Sequence, residues 1–435
     1  MNSNQPCCPA NSHGPLAAAA TTATPITPFR YDSADNVYKE HMRNSIKSVT
    51  SLFTEGLPNN NNKNKKKSSN IGTIVTIPST SNHASMDMYV TSGQRRQLLQ
   101  ELDPSAVESS SSSSSSSVSS LFEYNNNVKR IIVVFSDVCG YSSGRHFQFA
   151  DDLAKDLNNS SKNRNNDDSE NDDTTSTTTT TTTIVVVPDL FRGDPPMKPL
   201  SLWPFSFLSS SSLGGTLSYT RMIYKCKFVF NEKYVVSTTN DFIIPYLLNQ
   251  TNKNKNVVSF SSVGFCFGTW VVAKTAAAAA AAAVMKEDND KDEEKKQQQQ
   301  LWKCGVGMHP AFTLEQIHGG SEISLAKQIP GSFPYLLMPA GNDSDAIKIA
   351  VNVDVGEGEG GVDGGGGEKE TNDNCVQIMA KARNVSQQEV SMEFPTMKHG
   401  WMTRGDPLAD EDIHKAQILA LQKCVEFLEK HHPVV

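Results

Sequence analysis

Short apolar, β-branched runs recur along the chain at 131–135, 184–187, 257–265, 305–308 and 335–338, with a weaker one at 391–394. They are continuously apolar rather than alternating, as strands buried on both faces are. Between them the period changes. Phe149, Ala150, Leu153, Ala154 and Leu157 recur at helical spacing, as do Ile413, Ala416, Ala420, Cys424 and Phe427, and the Ala-rich stretch 269–284 reads as a third helix. Asp406 followed by Pro407 suits the N-cap and first turn of the last helix. Strand and helix in alternation predict an α/β fold with a mostly parallel, doubly wound sheet. The runs 73–77 and 86–90 are expected to add antiparallel strands at one edge.

Polar low-complexity tracts interrupt this pattern at about 109–120, 158–183, 286–300 and 356–372, and an Asn/Lys stretch occupies 59–70. Such composition buries too little apolar surface to offset the entropy of ordering it. Because the tracts fall between elements, they read as surface insertions in one domain at 71–435, preceded by a poorly ordered segment at 1–70. Without the insertions roughly 250–270 residues remain, enough for a single core. The Gly-rich tract lacks the Lys and Ser/Thr of a phosphate-binding loop.

Composition narrows the function classes. A net charge of −7 speaks against nucleic acid, which would need a basic face. The eight cysteines show no CxxC spacing for zinc or a redox dithiol, and their scatter fits a reducing compartment. No run of about 20 apolar residues spans a membrane, and the N-terminus lacks the basic and apolar regions of a secretory signal. The default location is the cytoplasm.

The sharpest chemical signal is Gly264-Phe265-Cys266-Phe267-Gly268, which ends one apolar run and opens a helical one. That is the setting of a nucleophile elbow: a strained strand-to-helix turn whose residues two positions away must be small. The composition predicts only about 0.03 chance occurrences of GxCxG in such a chain. A helix N-terminus also stabilises a thiolate. The competing reading is a small buried cysteine at a strand end.

A cysteine nucleophile needs a base, and the base an orienting group. His399 begins HGWMTRGD after the last strand-like run and is the preferred base. His309, before Pro310 at a strand end, is another histidine that this placement brings near the site. His414, His431 and His432 read as solvated. Asp343 is the preferred acid and Asp345 the fallback, both just beyond 335–338, where ligands bind in doubly wound folds. Asp343 as a plain turn residue after Gly341 and Asn342 competes with that role.

Taken together, VVFSDVCGYSSGR, FADDLAKDL, VVVPDLFRGDPP, VGFCFGTW, GVGMHP, YLLMPAGND and KHGWMTRGD resemble, in order, the dienelactone hydrolase family of the α/β-hydrolases. The N-terminal CCPANSHGP resembles the start of eukaryotic members. The resemblance implies a Cys266/His399/Asp343 triad and an oxyanion hole formed by the backbone N–H groups of Phe267 and Val138. The family often carries a thiol-controlling Glu in the first βα loop, where this chain has the shorter Asp137. Also implied are a small ester or lactone as substrate, no cofactor or metal, and a monomer. An inactive binding or regulatory protein on the same fold is the alternative, and a thiol redox sensor using Cys266 is a third. Arg145, Arg192 and the aromatic residues Trp203, Phe205, Tyr219 and Tyr224 are candidates for substrate contact.

Overall fold

The computed structural model describes residues 72–92, 128–166, 182–197, 212–251, 258–284, 301–350 and 373–434. The segment 1–70 and the tracts at 109–120, 286–300 and 356–372 lie outside the described residues. Among the described residues seven strands form one sheet: β1 (Thr73–Ile77), β2 (Met86–Thr91), β3 (Val128–Phe135), β4 (Thr182–Pro188), β5 (Ser259–Phe265), β6 (Trp302–Met308) and β7 (Tyr335–Met338). Their order is β1-β2-β4-β3-β5-β6-β7. The first two pairings, β1 with β2 and β2 with β4, are antiparallel, and every later one is parallel. The sequence at 391–394 does not become a full strand. It pairs with β7 and the residues just beyond it only through isolated bridges, Leu337 to Ser391 and Ala340 to Phe394.

The helices are α1 (His146–Asn166), α2 (Ser212–Tyr224), α3 (Glu232–Ser237), α4 (Ile244–Thr251), α5 (Phe267–Val284), α6 (Leu314–Ile317), α7 (Glu322–Gln328), α8 (Cys375–Arg383), α9 (Trp401–Arg404) and α10 (Glu411–His431). Two π-helical turns, Lys225–Val229 and Thr238–Ile243, link α2 to α3 and α3 to α4. Alternate residues of each central strand enter opposite layers, which is why these strands are apolar throughout. Ile131, Val133 and Phe135 join a core with Trp270 and Val271 of α5, whereas Ile132 and Val134 join one with Leu153 of α1 and Cys424 and Phe427 of α10. Each large apolar side chain fully buried there contributes about 1.5–3 kcal/mol.

Two boundaries differ from the sequence expectation. The polar tract at 158–183 is partly regular structure, because α1 runs to Asn166 and β4 begins at Thr182. Asn158 is the reason: its amide donates to Ala154 O and Thr183 O and accepts from Thr183 N at 2.8 Å, tying helix to strand. The last helix is capped not by Asp406 but by Asp410, which accepts from the N–H groups of Asp412 and Ile413. Asp406 instead closes a preceding turn on Leu408 N.

His432 also departs from expectation. It is buried, with its ring nitrogens 2.6 Å from Ser259 Oγ and Ser261 Oγ. Beside it, the buried Arg130 guanidinium binds Glu429 at 2.8 Å and His432 O at 2.9 Å. These bonds fasten the end of α10 to the amino edge of the sheet. His414 is exposed and His431 half-buried.

Candidate active site

The site begins at the carboxyl end of β5. Cys266 has φ +50, a left-handed conformation unusual for a residue with a Cβ, and its N–H donates to Met308 O at 3.1 Å. The flanking glycines permit the turn. A Cβ on Gly264 would collide with the backbone of Gly268 and Thr269, and one on Gly268 with the carbonyl of Phe135 in β3. Thr269 N–H donates back to Cys266 O at 3.0 Å as α5 starts at Phe267. This strained strand–turn–helix on a mainly parallel sheet, with its strands in this order, settles the architecture. The fold is that of the α/β-hydrolases.

No protein-family profile and no curated protein matches the sequence. Among solved structures, the chain is similar to a putative dienelactone hydrolase from Klebsiella pneumoniae at 11% identity and a TM-score of 0.38, covering 82% of this chain and 98% of that one. It is also similar to an esterase from Pyrococcus furiosus at 11% identity and a TM-score of 0.36, covering 87% and 99%. Est1E from Butyrivibrio proteoclasticus has 8% identity and a TM-score of 0.32, covering 82% and 98%. At this level of likeness, the site must be read from the chain's own geometry.

Asp343 and His399, 56 positions apart, meet in a hydrogen bond of 2.6 Å between Asp343 Oδ1 and His399 Nδ1. Both side chains are buried, with 2% and 3% of their surface exposed. The second oxygen, Oδ2, accepts from Ala340 N at 2.7 Å, so the loop after β7 fixes the carboxylate. Because a carboxylate only accepts, the bond assigns a proton to Nδ1 and directs Nε2 away from Asp343. Asp345, in contrast, is 97% exposed and paired with Lys348.

Asn342 was not singled out in the sequence. Its Oδ1 accepts from His399 N at 2.6 Å, so one Asn-Asp dipeptide holds both the backbone and the ring of the histidine. Its position in the GND triplet was the available signal. Behind it lies Glu322, whose Oε2 accepts from Ser344 Oγ at 2.7 Å. Burial pushes the Glu322 carboxyl above its ordinary range against the effect of the Ser344 bond, and the charge of Asp343 adds to the rise.

Val138, in the loop after β3, and Phe267, at the start of α5 after the neighbouring strand β5, are both buried. Phe267 opens α5, where the first N–H groups have no partner within the helix. Asp137 is fully buried, and its oxygens are committed to several donors. Oδ1 accepts from Cys139 N at 2.8 Å, and Oδ2 accepts from Thr403 Oγ1 at 3.1 Å and lies 3.4 Å from Arg404 Nε. Thr403 and Arg404 belong to the loop-helix that begins at His399, so Asp137 joins the first βα loop to the histidine loop.

The remaining candidates divide. The Arg145 guanidinium bonds Gln148 and Gln417, linking α1 to α10. The guanidinium of Arg192 lies 5.8 Å from the Tyr234 ring centre, beyond the end of β4. Tyr219 and Tyr224 are exposed, whereas Trp203 and Phe205 lie outside the described residues. Among the described residues the six cysteines form no disulfide. Burial pushes the Cys304 thiol up to about 12 and also raises those of Cys375 and Cys424, so none of these three has thiolate character at neutral pH. No group of three or more His, Cys, Asp or Glu suited to holding a metal occurs among the described residues. No described helix is long and apolar enough to cross a membrane.

Proposed function

We propose that the protein is a cysteine-dependent hydrolase of small esters or lactones, with Cys266 as nucleophile, His399 as base and Asp343 as its orienting acid. The observation that carries this reading is the buried 2.6 Å Asp343–His399 pair on the same sheet edge as a cysteine held in a glycine-flanked elbow. A packing cysteine needs neither a left-handed turn nor two glycines, and a turn aspartate needs no imidazole. The resemblance of the sequence segments to dienelactone hydrolases points to the substrate class.

The chemistry follows from these groups. His399 Nε2 takes the thiol proton, and the Cys266 sulfur adds to the substrate carbonyl. The negative charge that develops on the carbonyl oxygen is met by the N–H groups of Phe267 and Val138, each such donor typically being worth about 3–4 kcal/mol in the transition state. Collapse of the tetrahedral adduct expels the alkoxide, which receives the proton from His399 and leaves an acyl-thioester. A water that gives its proton to Nε2 then attacks the thioester, and the acid and thiol are released. Throughout, Asp343 holds the imidazole in the Nδ1–H tautomer and stabilises its charged form.

Hydrolysis of p-nitrophenyl acetate and of a dienelactone by wild type and Cys266→Ala tests this. Turnover that falls to background in the folded variant is the expected result. Equal inertness of both proteins towards these and other small acyl substrates would overturn it and favour an inactive binding protein.

A further inference from the structure

His309 is the group in this region that the proposed reaction leaves unassigned. It follows β6 directly, is fully buried and, like Cys266, adopts a left-handed backbone, with φ +37. The two residues are neighbours across the sheet. Phe265 of β5 pairs with Met308 of β6, so Cys266 and His309 occupy the next position on adjacent strands. The N–H of His309 donates to Met338 O at 2.9 Å, as that of Cys266 does to Met308 O. The His309 ring stands edge-on to His399, with centroids 4.9 Å apart and planes at 71°, and the Phe265 ring lies 5.9 Å away.

From this arrangement we infer that His309 is a positioning residue, whose ring fixes the tilt of the His399 imidazole. The inference rests on the hydrolase reading of the site and adds a fourth side chain to it. The Asp343 bond holds the imidazole at Nδ1, and the edge-on His309 ring bounds its rotation about that contact. A ring packed against its face sets the plane in which Nε2 is presented. Backbone strain in a residue with a Cβ persists only where the surrounding structure overrides it, and such positions cluster at functional sites. Here two of them stand side by side, one bearing the nucleophile and the other touching the base.

The test separates the ring from the backbone. His309→Asn suits the left-handed conformation but has no ring, and His309→Ala lacks the ring as well. His309→Phe keeps a ring without titratable nitrogens, and His309→Tyr is a second ring-bearing variant should that one fail to fold. With p-nitrophenyl acetate, the two ringless variants should lose about tenfold to a hundredfold in kcat, the cost expected of a misplaced catalytic group. Their KM should stay within about twofold, as expected when substrate binding is untouched. The ring-bearing variant should recover most of the loss. A readout without substrate accompanies this: the low-field proton resonance of the His399 Nδ1–H bound to Asp343 should broaden in His309→Asn and stay sharp in His309→Phe.

A folded His309→Asn with wild-type kcat and an unchanged resonance would overturn the inference. So would a folded ring-bearing variant as impaired as the ringless ones, since the role would then lie in the nitrogens. If wild type shows no Cys266-dependent turnover, the hydrolase reading falls, and the resonance alone decides whether His309 positions His399.

Discussion

At the scale of single residues, small displacements decide the chemistry. Asp343 and Asp345 are two positions apart, yet one is buried against His399 and the other faces solvent. Asp343→Asn should therefore lower kcat by about a hundredfold or more, because an amide favours the wrong imidazole tautomer. Asp345→Asn should leave turnover unchanged. Steady-state kinetics of both variants check this, and equal effects would exchange or abolish the assignment. Gly268 makes a second prediction. A methyl group there meets the backbone carbonyl of Phe135, which cannot move without disturbing β3. Gly268→Ala should cost about 1–3 kcal/mol, the usual range for overpacking, read as a shift of the urea midpoint. A shift equivalent to less than about 0.5 kcal/mol, within ordinary surface variation, would refute the close approach.

At the scale of elements, the last helix carries two duties at opposite ends. Its N-terminal side is joined to the loop that bears His399 through Gln417, whose amide donates to Trp401 O at 2.9 Å. Its C-terminal side ends in Glu429 and His432, bonded to Arg130, Ser259 and Ser261. Burial first and the Arg130 charge second together push the His432 imidazole down to about 3. An imidazole depressed in the folded state stays neutral there while the unfolded chain takes up a proton. Its contribution is thus complete above the unfolded pKa near 6.5 and is lost as pH falls towards 3. The slope approaches about 1.4 kcal/mol per pH unit between those values. Urea denaturation from pH 7 to 5 should show wild type weakening more steeply than His432→Gln, which has no titrating group; parallel curves would mean that His432 is not the source.

At the scale of the whole molecule, the sheet carries the proposed site on its carboxyl edge and the fastening of α10 on the other. Successive strands β5, β6 and β7 deliver Cys266, His309 and Asp343, while His399 comes from the loop before α9. The reactive charge is met by backbone N–H groups in the proposed mechanism, so its steps call on no ion. Prolonged incubation with a chelator should accordingly leave turnover of p-nitrophenyl acetate intact. Loss that is restored by adding back a divalent cation would contradict the mechanism.

What the sequence determined by itself is what its local spacing encodes. Strands buried on both faces must be apolar throughout, so the runs marked the central sheet, and an elbow must be flanked by small residues, so GxCxG marked Cys266. Asp343 and His399 were legible as candidates because α/β order constrains where such groups sit, whereas Asp343 against Asp345 depended only on spacing. Tertiary structure decided the rest, because those choices depend on partners distant in the chain. A polar run at 158–166 joined α1 once Asn158 found the backbone of β4. Asp410 displaced Asp406 as the cap of α10, and 391–394 met β7 at isolated bridges alone. His432 became a buried anchor because two serines and an arginine converge on it from β3 and β5. His309 gained its place beside His399 only when β6 was set between β5 and β7, which no pattern within GVGMHP specifies.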